Sequence, residues 1–501
     1  MYGNIEQPEN GEQPARHEPP TVEARQLAAV AALPADKFVD DIAEIARKHF
    51  DCASYPAENM PADDWELLTR AGVLLPVVPR EFGGRHSHVE LCRVLEAIAE
   101  WNLPLAMYVK ITTAVALRPI PLYASEETRR EMLPEFASGK PITCGFASTE
   151  PGAGSGMSSM TTTFDRQDDT YVLRGRKHWQ GFSATASWWL VSAKNDDDGR
   201  EYGYFALRRD EGFRTVERYE PIGMKVLDYG VNEIEATVPA HRRLHAESGD
   251  LRSMVELLMP PRSMMAALAT GFLRRVRREA HSYAASRPLG RGHLTDIGFV
   301  RYRLACIDTS YTICEALAHY LRTQLDIRGD MTATFPATQA IKTVATERMV
   351  SSANHYQQIV GGEGYRTGSP TNVAAQAFLD TRVFTIFDGT NDLLSQQLTQ
   401  YCRRQLNGER LSEFLGRWPL TGEAVAHGAD FGFLDGDLRQ EQLVLAGRAI
   451  AYAFALTRVL HWAEQSSDEV AERARRAVCF LLADIRAVAG EFSLLDQQVV
   501  D

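Results

Sequence analysis

The chain has 501 residues, of which 45% are hydrophobic and 24% charged, and a formal net charge of -12. A chain of this length holds about three domains and buries a large core without staples, and its composition is that of an ordinary globular protein. The acidic balance, with no stripe of Lys and Arg dominating any part, excludes nucleic acid as the main partner.

The seven cysteines (Cys52, Cys92, Cys144, Cys306, Cys314, Cys402 and Cys479) stand singly. Without a C-x-x-C pair they suggest neither a zinc site nor a disulfide framework, and they read as reduced residues of a cytoplasmic protein. The 13 histidines show no metal-binding spacing, so no metal is expected. No apolar run approaches the roughly 18 residues of a membrane span, and the N-terminus has no signal pattern.

Taken in order, residues 1–23 are rich in Glu, Pro, Gln and Asn and read as a disordered leader. Residues 24–140 read as an N-terminal helical domain. Phe38, Val39, Ile42, Ile45 and Ala46 recur at helical spacing, and Asp63 and Asp64 open a second helix where the dipole favours acids. Pro79-Arg80-Glu81-Phe82-Gly83-Gly84 breaks the pattern, and further helices are expected over 88–101 and, after Ser125, to about Leu133.

From Pro141 to His245 the segments are short, β-branched or aromatic, and separated by turns such as Asn195-Asp196-Asp197-Asp198-Gly199, which predicts a β-barrel-like middle domain. Helical periodicity returns over 246–404, as Ala337, Ile341, Val344, Ala345 and Met349 fall on one face; Pro260-Pro261 sits where a helix is expected to start. This part reads as a four-helix bundle. Residues 405–501 read as a linker and a helical hairpin, an added C-terminal extension. The fold class is therefore α+β and multidomain.

Three segments and one turn carry possible chemistry. Phe146-Ala147-Ser148-Thr149-Glu150-Pro151-Gly152-Ala153-Gly154-Ser155 is a glycine-rich loop on a domain boundary, where backbone N–H groups meet acceptor-rich ligands; alone it also reads as a flexible connection. Trp179, after Gly175-Arg176-Lys177-His178, is placed to pack on a planar ligand or within a core. Gln358-Ile359-Val360-Gly361-Gly362-Glu363-Gly364-Tyr365 reads by itself as a glycine helix cap and loop. Asp388 closes an apolar run before Gly389 and Thr390; alone the stretch also reads as a capped turn leaving a helix, while partial desolvation there is expected to raise its pKa and make it a better base.

The order and distance of these pieces resemble the acyl-CoA dehydrogenase flavoprotein family over roughly residues 24–404. The resemblance is carried by Pro79-Arg80-Glu81-Phe82-Gly83-Gly84, the Thr149 to Ser155 loop, Gly175-x-Lys177-x-Trp179, residues 225–239, Arg262, Arg287, Gln358-x-x-Gly361-Gly362-x-Gly364-Tyr365, and Phe387-Asp388-Gly389-Thr390. It implies an FAD enzyme that converts an acyl-CoA or acyl-carrier-protein thioester to the 2,3-enoyl thioester. It further implies Asp388 as the base, Phe146, Ala147, Ser148, Thr149, Trp179 and Gly181 beside the flavin, and Thr390 and Asp392 near FAD. Ser155 would meet a phosphate or the thioester arm, Arg262 and Gly389 the substrate. Arg287, Gln358, Gly361 and Gly362 would reach FAD of a neighbouring subunit, implying a homodimer or homotetramer. An electron-transfer flavoprotein is the implied acceptor.

Several positions depart from the family pattern. Asp388 stands where Glu is usual, and one methylene fewer withdraws the carboxylate by about 1.5 Å; a misplacement of about 1 Å can cost on the order of 100-fold in rate. Gly181 replaces a Thr or Ser that reaches the flavin, with its backbone N–H or Ser183 as substitutes, and Gly156 replaces an Asp. The segment Arg287-Pro288-Leu289-Gly290 lacks the usual aromatic, and Pro261 cannot act as the alternative base found on that helix in some relatives. An oxygen-reacting oxidase or monooxygenase on the same fold and a non-catalytic structural subunit remain alternatives. Arg274, Arg275, Arg277 and Arg278 read as a salt-bridged face in preference to a docking patch.

Overall fold

A computed structural model describes residues 22–55, 58–154, 156–245 and 251–496. The expected leader lies almost wholly outside the described residues. The architecture runs helical, β, helical. Helix Ala35–His49 buries Phe38, Val39, Ile42 and Ala46, the stripe its spacing predicts. Ser87 and Ser125 accept the backbone N–H of Glu90 and Thr128 and so cap helices His88–Trp101 and Glu126–Phe136.

A further helical run, Leu103–Lys110, continues as a π segment, Ile111–Leu117. Every residue of Leu103–Lys110 is buried. The run Leu103–Tyr123 and helix Gln440–Glu464 are long and apolar enough to cross a membrane, contrary to the sequence expectation. Their most apolar stretches are 94% and 67% buried inside the protein, which accounts for the apolarity as core packing.

The middle region contains β1 (Cys144–Ala147), β2 (Thr163–Gln167), β3 (Thr170–His178), β4 (Trp188–Asn195), β5 (Tyr202–Arg208), β6 (Phe213–Tyr219), β7 (Tyr229–Pro239) and β8 (Arg243–Leu244). The sheet order is β6-β7-β3-β2-β4-β5-β8, with β1 added in parallel beside β4. Among the described residues β6 and β8 do not pair, so the sheet is open where the succession of short strands and turns predicted a barrel-like closure. Strand β4 is buried at six successive positions from Trp188 and reads as an apolar run because both of its faces are covered.

The C-terminal region packs Met265–Ser286, Gly298–Gln324, Phe335–Val360 and Asn391–Arg404. Pro260 and Pro261 lie at the end of helix Leu251–Ser263 instead of starting a helix; the chain resumes helix at Met265. The four arginines behave as a salt-bridged face: Arg274 pairs with Glu96 and Glu100, Arg275 with Asp51 and Glu279, Arg277 with Asp308, and Arg278 with Glu100.

The extension forms the hairpin Gln440–Glu464 and Asp468–Asp496, and the segment read as linker contains the short helix Gly422–Ala426. The hairpin packs on the bundle, with Arg348 bound to Asp484 and Arg473 to Glu315. Helix Gln440–Glu464 meets helix Asn391–Arg404 backbone to backbone: a Cβ on Gly447 would run into the Ser395 carbonyl oxygen. Gly447→Ala is expected to destabilise the protein by about 1–3 kcal/mol through overpacking. The midpoint of denaturant unfolding should fall, and limited proteolysis should cut first within the extension.

Candidate active site

Asp388 sits in a tight turn between the 3-10 segment Arg382–Thr385 and helix Asn391–Arg404. Its φ is 60°, a left-handed conformation that Asp adopts more readily than most residues, and Gly389 follows at 89°. Thr390 ends the turn by accepting the Leu393 N–H at 3.3 Å. Upstream, Asp380 fixes the approach to the turn: it accepts the Met224 N–H at 2.6 Å and the Gln376 amide at 2.7 Å, and burial pushes its carboxyl up to about 6.

Three cations converge on this turn from three other helices. Lys110 Nζ donates to Asp388 Oδ2 at 2.9 Å, with side-chain exposures of 1% and 13%. Arg262 Nε donates to the Asp388 carbonyl at 2.8 Å and its Nη1 to Gln339 at 2.9 Å. Lys342 donates to the Gly389 carbonyl at 2.9 Å and to Asn391 Oδ1 at 2.7 Å. Burial lowers the Lys342 ammonium to about 7.

Burial alone would raise the Asp388 carboxyl, but Lys110, then Arg262 and Lys342, outweigh it and hold the carboxyl below the ordinary range. This corrects the expected direction. Asp388 is an ionised group with no hydrogen bond to Oδ1 among the described residues. Sequence reasoning missed Lys110, Lys342 and Gln339. The available signal was Lys110 itself, a lone charge in the apolar sequence Leu103-Pro104-Leu105-Ala106-Met107-Tyr108-Val109-Lys110-Ile111.

The glycine-rich loop is built around a buried ion pair. Lys177 Nζ meets Glu150 Oε1 at 2.8 Å, with exposures of 0% and 2%, and also donates to the Ser148 carbonyl at 3.2 Å. Glu150 accepts from Thr161 N and Oγ1 and from Thr162 N as well. Thr149 O accepts from His178 N and Gln180 Nε2, both at 3.0 Å, so the loop is latched to the end of β3. Phe146 packs on Tyr204. Ser155 lies outside the described residues.

Trp179 stands beside this loop at φ 60° with 52% of its surface exposed, stacked at a tilt on Tyr219 with centroids 4.6 Å apart. Phe182, at φ 71°, is a second bulky residue in the left-handed region. Such conformations are held only where the surrounding structure over-determines them, and they gather at ligand sites. Gly181 between them lies against Ile111 and Leu227, where a Cβ would sit 3.2 and 3.5 Å from their side chains. Ser183 is fully buried and bonded to Gln180 O and Asn232, so its hydroxyl is turned inward and cannot replace the hydroxyl missing at Gly181.

These contacts join the two halves of the site. The π segment that begins at Ile111 packs on β1 and on helix Leu251–Ser263, while the residue before it, Lys110, binds Asp388. π segments recur at functional sites in helices. The residues fit a planar, acceptor-rich cofactor. β1 pairs with β4 alone, so its other edge has no strand partner among the described residues, and Trp179 offers an open aromatic face.

Arg287, Gln358, Gly361 and Gly362 occupy a separate, exposed surface. Tyr283 ties two of its parts together, accepting from Arg287 at 2.9 Å and donating to the Val360 carbonyl at 2.9 Å. Asp392 is exposed and faces Arg448 of the extension at 3.4 Å.

The acyl-CoA dehydrogenase N-terminal, middle and C-terminal domain families match residues 28–140, 145–236 and 251–402. An acyl-CoA dehydrogenase of Bacillus subtilis (strain 168) is 25% identical over 373 residues, 72% of this chain and 95% of its own. The crystal structure of an acyl-CoA dehydrogenase complexed with FAD from Bacillus anthracis is similar with a TM-score of 0.73 at 20% identity, covering 94% of this chain and 88% of that one. Butyryl-CoA dehydrogenase from Megasphaera elsdenii has a TM-score of 0.63 at 20% identity, covering 77% of this chain and 100% of its own. The broader coverage of the Bacillus anthracis structure requires part of the region beyond Arg404.

Proposed function

This chain belongs to the acyl-CoA dehydrogenase family, and on that premise we propose that it is an FAD-dependent enzyme oxidising an acyl-CoA or acyl-carrier-protein thioester to the 2,3-enoyl thioester, with Asp388 as base. The observation that carries this reading is the Asp388 turn: a partly buried, ionised carboxylate with one oxygen held by Lys110 and the other unbonded among the described residues. A proton acceptor needs that free oxygen.

Asp388 takes the α proton of the thioester. Lys110, Arg262 and Lys342 surround the turn with positive charge, which favours negative charge developing beside it as the proton leaves. Arg262 and Gly389 form the substrate side of the turn. Bound FAD supplies the acceptor for the β hydride, so the thioester loses two electrons and two hydrogens and the flavin gains the electron pair.

Phe146, Ala147, Ser148, Thr149, Trp179 and Gly181 make the flavin face, the Gly181 backbone N–H standing in for the absent hydroxyl. Thr390 and Asp392 lie towards the cofactor after the turn. Arg287, Gln358, Gly361 and Gly362 serve the FAD of a neighbouring subunit, for which their exposure on one surface is the support. The working enzyme is then a homo-oligomer passing electrons to an electron-transfer flavoprotein.

The test is to purify the protein, measure flavin absorbance, and follow anaerobic bleaching across acyl-CoA and acyl-carrier-protein thioesters. Bleaching by one group of thioesters is expected. A flavin-containing protein that no thioester reduces would overturn the assignment.

A further inference from the structure

Lys110 has no role in the sequence motifs, yet it is the only described residue that hydrogen-bonds the Asp388 carboxylate. Its helix belongs to the N-terminal part of the chain, 278 residues from Asp388. A buried lysine is unfavourable unless paired, because its charge is stripped of water. Here the whole side chain is enclosed, and its ammonium lies 2.9 Å from one carboxylate oxygen and 5.8 Å from the centroid of the Phe387 ring.

The remaining charges facing the turn do different work. Arg262, from helix Leu251–Ser263, binds the Asp388 backbone carbonyl, and Lys342, from helix Phe335–Val360, binds the Gly389 carbonyl and Asn391. Glu347, on the same helix as Lys342, binds the Asn391 amide. These groups hold the backbone of the turn, leaving the carboxylate orientation to Lys110.

We infer that Lys110 is a positioning residue for Asp388: it ties Oδ2 and so leaves Oδ1 for the substrate. This rests on the reading of Asp388 as base. It also suits a side chain one methylene shorter than the family's, which has fewer torsions to fix but less reach to spare. The pairing costs basicity, since an ammonium that stabilises the carboxylate also weakens its pull on a proton.

The test uses Lys110→Met, Lys110→Arg, Asp388→Asn and the Lys110→Met/Asp388→Asn double variant as full-length holoproteins. In single-turnover bleaching, no acid limb from Asp388 should appear in the wild type between pH 8 and about 5, because its carboxylate stays ionised there, while Lys342, at about 7, gains its charge in wild type and variants alike. Lys110→Met should bring an acid limb into that window, and Lys110→Arg should move it back out. Each single variant should lower Tm, and the double variant should lose less than the sum of the two because neither partner is left alone.

The pH dependence of Tm gives a readout independent of turnover. With Lys110 present, the Tm advantage of the wild type over Asp388→Asn should be full above the unfolded carboxyl value and vanish as pH falls through the folded one. A folded pKa below the unfolded one has that sign. In the Lys110→Met background the advantage of Asp388 over the Asn substitution should shrink to nothing or reverse, since burial then dominates. An unmoved acid limb, additive Tm losses or an unchanged sign would each overturn the inference. Failure of every thioester to bleach the wild type would instead overturn the proposed reaction, while the Tm comparison still reports on the pair.

Discussion

An Asp388→Asn variant is expected to fold, bind FAD and lose about 10²- to 10⁴-fold in the rate of anaerobic flavin bleaching, the range for removing a positioned general base. Asn is well suited to this test. It tolerates the left-handed φ of 60°, keeps an oxygen for Lys110 Nζ and leaves Gly389 and the Thr390 cap untouched. What it removes is the negative charge and the unbonded basic oxygen. Stopped-flow absorbance separates this from loss of cofactor, because the oxidised flavin spectrum should persist while its decay slows. A variant retaining more than about a tenth of the wild-type rate would place the base elsewhere.

Local sequence made the Asp388 turn legible, and distance in the chain hid its electrostatics. The Asp388-Gly389-Thr390 order marks a tight turn, and the chain turns there; the left-handed φ of Asp388 and the capping of helix Asn391–Arg404 by Thr390 are details the structure adds. The direction of the Asp388 shift did not follow, since it depends on Lys110, Arg262 and Lys342, which arrive from three separate helices. Periodicity located helix Ala35–His49 and the bundle helices, whose apolar stripes pack inward. It had less to say of Leu103–Lys110, buried on every side and so without amphipathic contrast. Short β-branched and aromatic segments marked β3 and β7 as strands but not the closure, because a barrel and an open sheet are built from the same strands. Ser183 illustrates the same limit: its position in sequence suggested a hydroxyl for the flavin, but Asn232 from β7 draws it inward.

Glu150 and Lys177 were each visible in a motif, but only the structure pairs them, and their pairing leads to the largest expected stability effect. Glu150→Gln is expected to destabilise the protein by about 3–5 kcal/mol, the cost of leaving one partner of a buried ion pair alone. Lys177 is fully enclosed and would be left with neutral acceptors alone: the Gln amide oxygen, the Ser148 carbonyl and the Ser192 hydroxyl, the last two at 3.2 Å. The Gln amide would also turn a donor towards groups that can only donate, Lys177 Nζ and Thr162 N on one side or Thr161 N on the other. Because Lys177 also secures Ser148, and Thr149 is the next residue, FAD affinity should fall along with stability. Combining Glu150→Met with Lys177→Met should recover much of the stability, since removing both charges leaves no unpaired one. Burial would raise the Glu150 carboxyl, but Lys177 and the threonine donors outweigh it and hold the carboxyl at about 2, against an ordinary value of 4.5. Its stabilisation is therefore full above the unfolded value and lost as pH falls from about 4.5 towards 2. Unfolding midpoints of wild type and Glu150→Gln should converge over that acid window and separate towards neutrality. Parallel profiles would show that the glycine-rich loop is held by its hydrogen bonds and owes nothing to the charge of Glu150.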